Sequence, residues 1–343
     1  MDEGVPRAGE IVAAVVRALV EAGVQPDGMT VLRTRADVEA GIGDPSSWLS
    51  RDLIQRITLI THEPTLRAEL AYLAATETGE PIMLNRAITD ADVVLPIGCF
   101  HSRSAAGYYG IHSGVFPRFS DRRTIRRFRS PASLDVRGRP KRAPAKLVDE
   151  VGWLLGITWT VQVIPGPGDR ILHVLAGQTA AVRRQARRLY EAAWRSSAPR
   201  RASLVVAAIE GSSGQQTWDN LGRALAAAGA LVEEGGAIAV CCDLAAQPGP
   251  ALRHLAASRA RKEAMRWIRR ERPEDALSAT LLARAQDRAT VYLLSRLDQS
   301  LVEELEIAPV AQVEELVRLA GQHESCILLA NAPHAMVSLE EGD

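Results

Sequence analysis

The apolar positions in the first part of the chain follow two spacings, one typical of helices and one typical of strands. Residues 10–22 (EIVAAVVRALVEA) place apolar side chains at helical intervals, and Gly23 follows as a stop signal. The run ADVVLPIG (91–98) is nearly continuous, which predicts a buried parallel strand that leads into a loop. Shorter apolar runs predict strands at residues 29–33, 57–61 and 81–85. Strands that alternate with helices indicate an α/β unit.

The same alternation continues to the end of the chain. It predicts helices near residues 145–155, 178–195, 217–230 and 310–321, and strands at 157–165, 171–177, 203–211, 233–244, 289–295 and 324–331. The composition changes most sharply at SSAPRRA (196–202), which we interpret as the boundary between an N-terminal domain (1–198) and a C-terminal domain (199–343). Open α/β sheets bind ligands at the loops that follow strand ends. The predicted fold class is therefore α/β, with two α/β domains and a ligand cleft between them.

Composition and charge exclude several classes of protein. The 343 residues include 41 Lys+Arg and 41 Asp+Glu, so the net charge of zero argues against a general polyanion binder. The four cysteines form no CxxC pair, which indicates thiols in a reducing compartment. The N-terminus lacks a charged-then-apolar leader, and no uncharged apolar run is long enough for a membrane helix. We therefore expect a cytoplasmic protein with no membrane partner.

The positive charge is mostly arginine and is concentrated in one segment. The only lysines are at 141, 146 and 262, so few amines are available for covalent tethering. Eleven basic residues lie in residues 118–146 (the basic segment), against Asp121 and Asp135. Such a run binds nucleic acid through phosphates, but only Phe119 and Phe128 are there to stack on bases. A solvated or ligand-facing linker is the other interpretation.

Residues 98–125 (the glycine segment) carry the most unusual chemistry. They follow a predicted strand and contain Gly98, Gly107, Gly110 and Gly114, which let a backbone approach a ligand closely. In the same segment, His101 and His112 are candidates for acid and base at neutral pH. The other interpretation is a glycine-rich surface loop with two solvated histidines.

Other well-known motifs are missing from the sequence. It contains no GxGxxG, GxxxxGK[ST], GxSxG or HExxH pattern, so phosphate loops, serine elbows and common zinc sites are not predicted. The remaining histidines are scattered, and we interpret them as satisfied or exposed side chains at positions 62, 173, 254, 323 and 334. No metal ligand is therefore assigned.

A second candidate site lies at the start of a predicted helix in the second half. The stretch EGSSGQQTWDNLGRAL (210–225) places a Gly/Ser loop before that helix, with Trp218, Asn220 and Arg223 near its N-terminal end. Helix N-termini favour anions, and arginine holds a carboxylate through two parallel hydrogen bonds. An ordinary capped helix is the other interpretation.

Several stretches together resemble the lactate racemase family. The segments are YLAATETGEPIMLNRAITDADVVLPIG, AAGYYGIHSGVFP (105–117), LLGITWTVQVIPGPGDRILHVLAGQTAAVRRQA, LVVAAIEG, DNLGRALAAAGALVEEGGAI and VYLLSRLD. The resemblance implies a two-domain α/β protein with its active site between the domains. It also implies a nickel ion within a pincer nucleotide, tethered through a lysine, that accepts a hydride from a 2-hydroxy acid while histidines shuttle the proton.

The sequence departs from the family at the positions that matter most for this chemistry. The turn Pro165–Arg170 should hold the tether lysine and contains none, and Arg183 stands where the family has its metal histidine. Arg103 aligns with a catalytic histidine, although His101 is nearby. In the helix that binds substrate in the family, Arg223 replaces a lysine and Asn220 replaces a glutamine. The family's first strand and its D-x-T-R motif would precede residue 6, and the residues MDEGVP contain neither. Arginine stays protonated, so it neither shuttles protons nor ligates nickel.

These observations leave two main interpretations of function, with nucleic-acid binding through the basic segment (118–146) as a third. The first is an isomerase that acts on a 2-hydroxy acid. The second is a degenerate relative that binds a small carboxylate or phosphate anion, or a partner, in the cleft. The candidate residues are His101, His112 and Arg103 for catalysis, Gly107, Gly110 and Gly114 for a cofactor, and Arg183, Trp218, Asn220 and Arg223 for the substrate. Which cofactor this chain binds is left open.

Overall fold

Helices and strands alternate along the chain, as the apolar pattern predicts. The protein is described here from a computed structural model. It describes residues 4–102, 105–134, 142–258 and 260–340, with the side chains of residues 142 and 143 excepted.

The first half of the chain forms a set of small sheets with helices packed on them. Its helices are α1 (Ala8–Glu21), α2 (Arg35–Glu39), α3 (Arg51–Arg56), α4 (Arg86–Thr89), α5 (Arg122–Phe128), α6 (Arg142–Leu154) and α7 (Thr179–Trp194). Its strands are β1 (Thr30–Thr34), β2 (Thr58–His62), β3 (Leu70–Ala75), β4 (Pro81–Asn85), β5 (Ile97–Cys99), β6 (Trp159–Pro165), β7 (Ile171–Gln178) and β8 (Arg195–Ala198). Strand β1 pairs with β2 in parallel, β3 and β4 form an antiparallel hairpin, and β6 lies between a parallel β5 and an antiparallel β7.

Helix α1 shows why this half folds as it does. Its apolar stripe buries Val12 and Val16 against Met29 and Ile57, while Ile11 packs on the β6 strand. The chain leaves the helix through Gly23 at a φ of +93°, a conformation that glycine adopts without steric cost.

The second half contains one parallel five-stranded sheet. The strands of this half are β9 (Ala202–Ala208), β10 (Val232–Cys241), β11 (Thr290–Leu294), β12 (Ala308–Val310), β13 (Cys326–Leu329) and β14 (Met336–Leu339), of which β9 to β13 form the sheet. Its helices are α8 (Trp218–Leu231), α9 (Pro250–Ala257), α10 (Arg261–Glu271), α11 (Ala276–Gln286), α12 (Gln299–Glu304) and α13 (Val313–Ala320). The sheet order is β12-β11-β10-β9-β13. Helices α8, α9 and α11 bury one of its faces in the largest apolar core of the described residues.

The two halves meet in several places around the glycine segment. Ala106 and Leu134 pack against Leu277 and Leu281 of α11. Strand β14, near the end of the chain, returns to pair in parallel with β8. The molecule is thus an α/β protein with two α/β domains; the exact boundary at residues 198/199, which lies just after β8, stays a prediction.

Two sequence-based expectations differ from the structure. The predicted strand 91–98 is reduced to Ile97–Cys99, and Val93 is 79% exposed. Apolar character alone does not make a strand here, because Pro96 has no N–H to contribute to a ladder and the chain before it stays on the surface. Within the basic segment, for which a linker is one of the two interpretations, helix α5 forms. The Asp121 side chain caps it by accepting a hydrogen bond from the Thr124 N–H at 3.0 Å.

Candidate functional site

The glycine segment is buried between the two halves rather than exposed on the surface. His101 is 2% exposed and His112 is 5% exposed, so the interpretation of a surface loop with solvated histidines is wrong. Gly107 and Gly110 have φ angles of +80° and +126°, which favour glycine. Gly114 has an ordinary backbone conformation with space for a Cβ atom, so its backbone does not require glycine.

His101 belongs to a buried aromatic cluster that joins the two halves. Its ring stacks on His334 with a centroid distance of 5.5 Å and an interplanar angle of 18°. Tyr108 and Tyr190 contact the same ring edge-on at 5.7 and 6.2 Å. The Tyr190 hydroxyl donates a hydrogen bond to the backbone oxygen of His334 at 2.7 Å.

His334 is the site residue that sequence reasoning missed. It lies in a 3-10 turn, Ala332–His334, and is 6% exposed. The sequence could have indicated this residue, because His334 follows the C-terminal end of β13. Open α/β sheets bind ligands at that edge. The interpretation of His334 as a scattered side chain overlooked that position.

His112 occupies a tight space beside an ion pair. Its ring packs on Gly152 of α6 so closely that a Cβ atom on Gly152 would lie 2.5 Å from its Cδ2 atom. Burial lowers the pKa of His112, the charge of Arg183 lowers it further, and Asp149 opposes this in part. Its Nδ1 atom is buried and has no hydrogen-bond partner within the described residues. The imidazole is therefore held in its neutral form.

Arg183 does not point freely into a cleft. It forms a bidentate ion pair with Asp149, with contacts of 3.0 Å to Oδ2 and 2.5 Å to Oδ1. Both side chains are partly exposed, at 34% and 40%. Arg183 comes from the second turn of α7 and Asp149 from α6, so the charge of this arginine is offset inside its own half.

Arg223 reaches from the second half onto the glycine segment. Its Nε donates to the Ala106 backbone oxygen at 3.2 Å and its Nη1 to Asn220 Oδ1 at 3.2 Å. Its Nη2 would lie 3.9 Å from a Cβ atom on Gly107. Among the carboxylates of the described residues, none lies within ion-pair distance of Arg223, so its charge has no direct counter-ion in the described part of the chain.

The other two candidates on α8, Asn220 and Trp218, form hydrogen bonds within the second half of the chain. Asn220 donates to the Gln215 backbone oxygen at 2.9 Å and orients the arginine through its own Oδ1. Trp218 donates through its indole N–H to the Ala246 backbone oxygen at 2.8 Å and packs in the core of the second half. The structure thus brings Asn220 and Arg223 to the glycine segment but keeps Trp218 within its own domain. Arg103 lies outside the described residues.

A buried ion pair also ties the two halves together beside this site. Arg129 contacts Asp219 at 2.5 Å, with the side chains only 16% and 13% exposed, and Ser278 donates to the same carboxylate. Burial by itself raises the pKa of Asp219, but Arg129, Ser278 and Arg223 together hold that pKa well below its ordinary value. The carboxylate therefore stays charged over the whole neutral and mildly acidic range.

The turn Pro165–Arg170 packs against the second half. The Gly168 N–H donates to Asn331 Oδ1 at 2.9 Å, and the Ser212 N–H donates to Asp169 Oδ2 at 2.6 Å. The Ser212 hydroxyl adds a hydrogen bond to Asp169 Oδ1 at 3.1 Å. The turn is thus used for contact between the halves, and it has no lysine.

The residues present do not fit a tethered nickel nucleotide. Within the described ranges, no three His, Cys, Asp or Glu side chains come together in a metal-binding group. Arg183, which the resemblance aligns with the family's metal histidine, is a permanent cation paired with Asp149. With no lysine in the turn, neither the ligand nor the covalent attachment is provided.

Much of the basic segment is neutralised within the protein. Six of its basic side chains form ion pairs, namely Arg118 with Asp37, Arg122 with Glu274, Arg123 and Arg127 with Glu80, Arg129 with Asp219, and Lys146 with Glu77. Arg126 forms no ion pair with a described residue.

Of the helices that the structure describes, none combines the length and apolar character needed to cross a bilayer.

Comparison with known proteins agrees with this architecture. Residues 5–134 match the profile of the lactate racemase N-terminal domain. The fold is similar to that of the lactate racemase apoprotein from Thermoanaerobacterium thermosaccharolyticum, with a TM-score of 0.76, 14% identity, and coverage of 98% of this chain and 96% of that one. It is also similar to a protein from Thermotoga maritima, with a TM-score of 0.65, 13% identity, and coverage of 98% and 99%.

A search of curated protein sequences finds no match. The profile match lies in the half that contains the glycine segment and its two buried histidines. The structural similarity extends over nearly the whole chain. Residues 5–134 are therefore similar to the lactate racemase N-terminal domain, and the chain has the lactate racemase fold along almost its entire length.

Proposed function

We propose that this protein binds a small carboxylate or phosphate anion at Arg223, between its two halves, and does not racemise a 2-hydroxy acid through nickel. The observation that carries the proposal is the placement of Arg223. Its guanidinium is held against the backbone of the glycine segment by Ala106 and Asn220, and no carboxylate of the described residues pairs with it.

The chemistry of the surrounding groups supports an anion. A guanidinium that is fixed by two hydrogen bonds still has N–H donors for a carboxylate or phosphate, and ordering it in advance lowers the cost of binding. Asp219 is committed to Arg129 and Ser278, so it does not form a direct ion pair with Arg223. With His112 neutral and Arg183 paired with Asp149, Arg223 is a cation available at this end of the glycine segment among the residues that the structure describes.

Thermal unfolding with small anions tests this proposal. L-lactate, glycolate and inorganic phosphate should each be titrated at constant ionic strength. An anion present at 100 times its Kd should stabilise the fold by roughly 2.7 kcal/mol, seen as a higher Tm. Arg223→Gln should remove the effect, whereas Arg284→Gln, an exposed arginine on α11, should retain it. An anion effect that is equal in wild type and Arg223→Gln would contradict the proposal.

Isomerase activity on a 2-hydroxy acid is a second candidate function. It is favoured by the match over residues 5–134 and by the two buried imidazoles of His101 and His334 that face each other. Protein produced together with the enzymes of pincer-nucleotide synthesis should be tested with L-lactate by chiral chromatography and examined by intact mass spectrometry. We expect no racemisation and no adduct on the turn Pro165–Arg170. Racemisation with an adduct mapped to that turn would establish the second function instead.

A further inference from the structure

A cavity of about 370 Å³ lies between the two halves, outside the site at Arg223. It is lined by Arg122, Arg123 and Arg126 of α5 and by Glu271 and Arg272 at the end of α10. Four of the five lining residues are arginines, and they come from helices that belong to different halves of the chain.

The ion pairs around this cavity leave part of its positive charge uncompensated. Arg122 pairs with Glu274 and Arg123 with Glu80, each at 3.1 Å, but these arginine side chains are 49% and 83% exposed. Exposed pairs of this kind contribute little free energy, so they exchange readily for a stronger anion. Neither Arg126 nor Arg272 forms an ion pair with any residue that the structure describes.

Arg126 adds a second, independent indication of a ligand. Its Nε atom is buried and finds no hydrogen-bond acceptor within the described part of the chain. Buried N–H donors in folded proteins are almost always satisfied. A ligand oxygen in the cavity would satisfy this donor, which no acceptor of the described residues does.

We propose that this cavity binds a small molecule that carries two or more phosphate groups. Its volume is in the lower range for small-molecule sites, and arginine forks match the oxygens of phosphate groups. Arg122 and Arg126 lie one helical turn apart and Arg272 faces them from the other half, which suits adjacent phosphates better than a single one. None of the described residues that line the cavity is aromatic and able to stack on bases, so a nucleic-acid strand is a poorer occupant.

Binding at this place would link the two halves of the molecule. The arginines of α5 and Arg272 form one site only while the two halves are docked, so a polyphosphate would stabilise the docked state by mass action. The inference is independent of the function proposed for Arg223, because Arg223 is held by Ala106 and Asn220 and none of the residues lining the cavity is among its hydrogen-bond partners.

Calorimetric titration with pyrophosphate tests the proposal. At constant ionic strength, the wild-type protein should bind pyrophosphate at least tenfold more tightly than inorganic phosphate. Arg126→Gln and Arg272→Gln should each weaken pyrophosphate binding tenfold or more. Arg284→Gln should change it less than twofold, and Arg223→Gln should also leave it unchanged, which separates this site from the one proposed above.

Two results would overturn the proposal that the cavity binds a polyphosphate. Arg272 is exposed at a helix end, so Arg272→Gln keeps the test valid even if Arg126→Gln fails to fold. Pyrophosphate binding that is the same in Arg272→Gln and wild type would overturn the proposal. So would a short single-stranded oligonucleotide that binds more tightly than pyrophosphate, with a steep salt dependence and sensitivity to both substitutions, because the site would then serve a nucleic acid.

Discussion

The imidazole of His112 is buried, and its neighbours disfavour the protonated form. Gly152 leaves no space between the ring and the backbone of α6, and Arg183 places a permanent positive charge nearby. Burial and that charge both lower the pKa of His112. In the unfolded chain the same side chain titrates near pH 6.5. The two states therefore bind different numbers of protons below that pH.

We predict that His112→Gln makes the stability of the protein less sensitive to mild acid. Because the pKa of His112 is lower in the folded state, the unfolded state binds more protons as the pH falls through about 6.5, and wild-type stability declines. The variant should lose less free energy of unfolding between pH 7 and pH 5. Urea unfolding at both pH values measures this.

The control for this prediction is an exposed histidine. His173→Gln on β7 should leave the pH dependence of the wild type unchanged, since that side chain is exposed. The pKa of His62 is also lowered by burial, so some acid sensitivity should persist in His112→Gln. An identical decline in wild type and His112→Gln would contradict the prediction.

At the scale of the element, helix α6 is shaped by what packs against it. Gly152 lies inside this helix, where glycine is normally less stable than alanine by about 0.5–1 kcal/mol. The reason for glycine at this position is the ring of His112, which occupies the space of a Cβ atom. Local helix propensity is therefore overridden by a contact with a distant loop.

We predict that Gly152→Ala destabilises the protein although alanine is the better helix former. The methyl group would displace His112, and overpacking of this kind costs about 1–3 kcal/mol. The matched control is Gly229→Ala on α8, where a Cβ atom meets nothing within 4 Å. That control should gain stability. Chemical denaturation of both variants measures the contrast, and a stabilised Gly152→Ala would show that His112 is less tightly held.

At the scale of the whole molecule, the two halves are joined by buried polar contacts as well as by apolar ones. Arg129 of the first half holds the buried Asp219 of the second. Asn331 accepts from the Gly168 backbone, and Asp169 accepts from Ser212. Such contacts are directional, so they determine how the halves dock more than how strongly they attract each other.

We predict that Arg129→Met lowers the free energy of unfolding by about 3 kcal/mol, since removing one partner of a buried ion pair leaves the other charge uncompensated. The control Arg187→Met, which breaks the exposed pair with Glu191 on α7, should cost under about 1 kcal/mol. Equal losses in the two variants, measured by chemical denaturation, would show that the Arg129–Asp219 pair is not a buried anchor.

The same pair gives a prediction for acid. The pKa of Asp219 is lowered in the folded state, so its contribution is present above about pH 4, the unfolded value, and is lost as the pH falls further. Asp219→Asn should therefore show a flatter loss of stability between pH 4 and pH 2 than wild type. Thermal unfolding across that range measures the difference, and parallel curves would contradict it.

The sequence by itself determined most of the local architecture. Helical spacing located α1, α7 and α8, and apolar runs located β4 and β9, because the side-chain period within one element directly records which face is buried. It also located the glycine segment as the unusual loop. The resemblance to lactate racemase, which the comparisons support, came from the order of these pieces.

Only the tertiary structure decided which side chains meet. In the folded protein, Arg183 pairs with Asp149 and the ring of His334 stacks on that of His101. Trp218 packs in the apolar core of the second half. None of these partners is encoded by a period or a motif, because each depends on how separate elements pack together. The apolar pattern specifies the buried face of an element, whereas the chemistry of the site depends on what the rest of the chain places against that face.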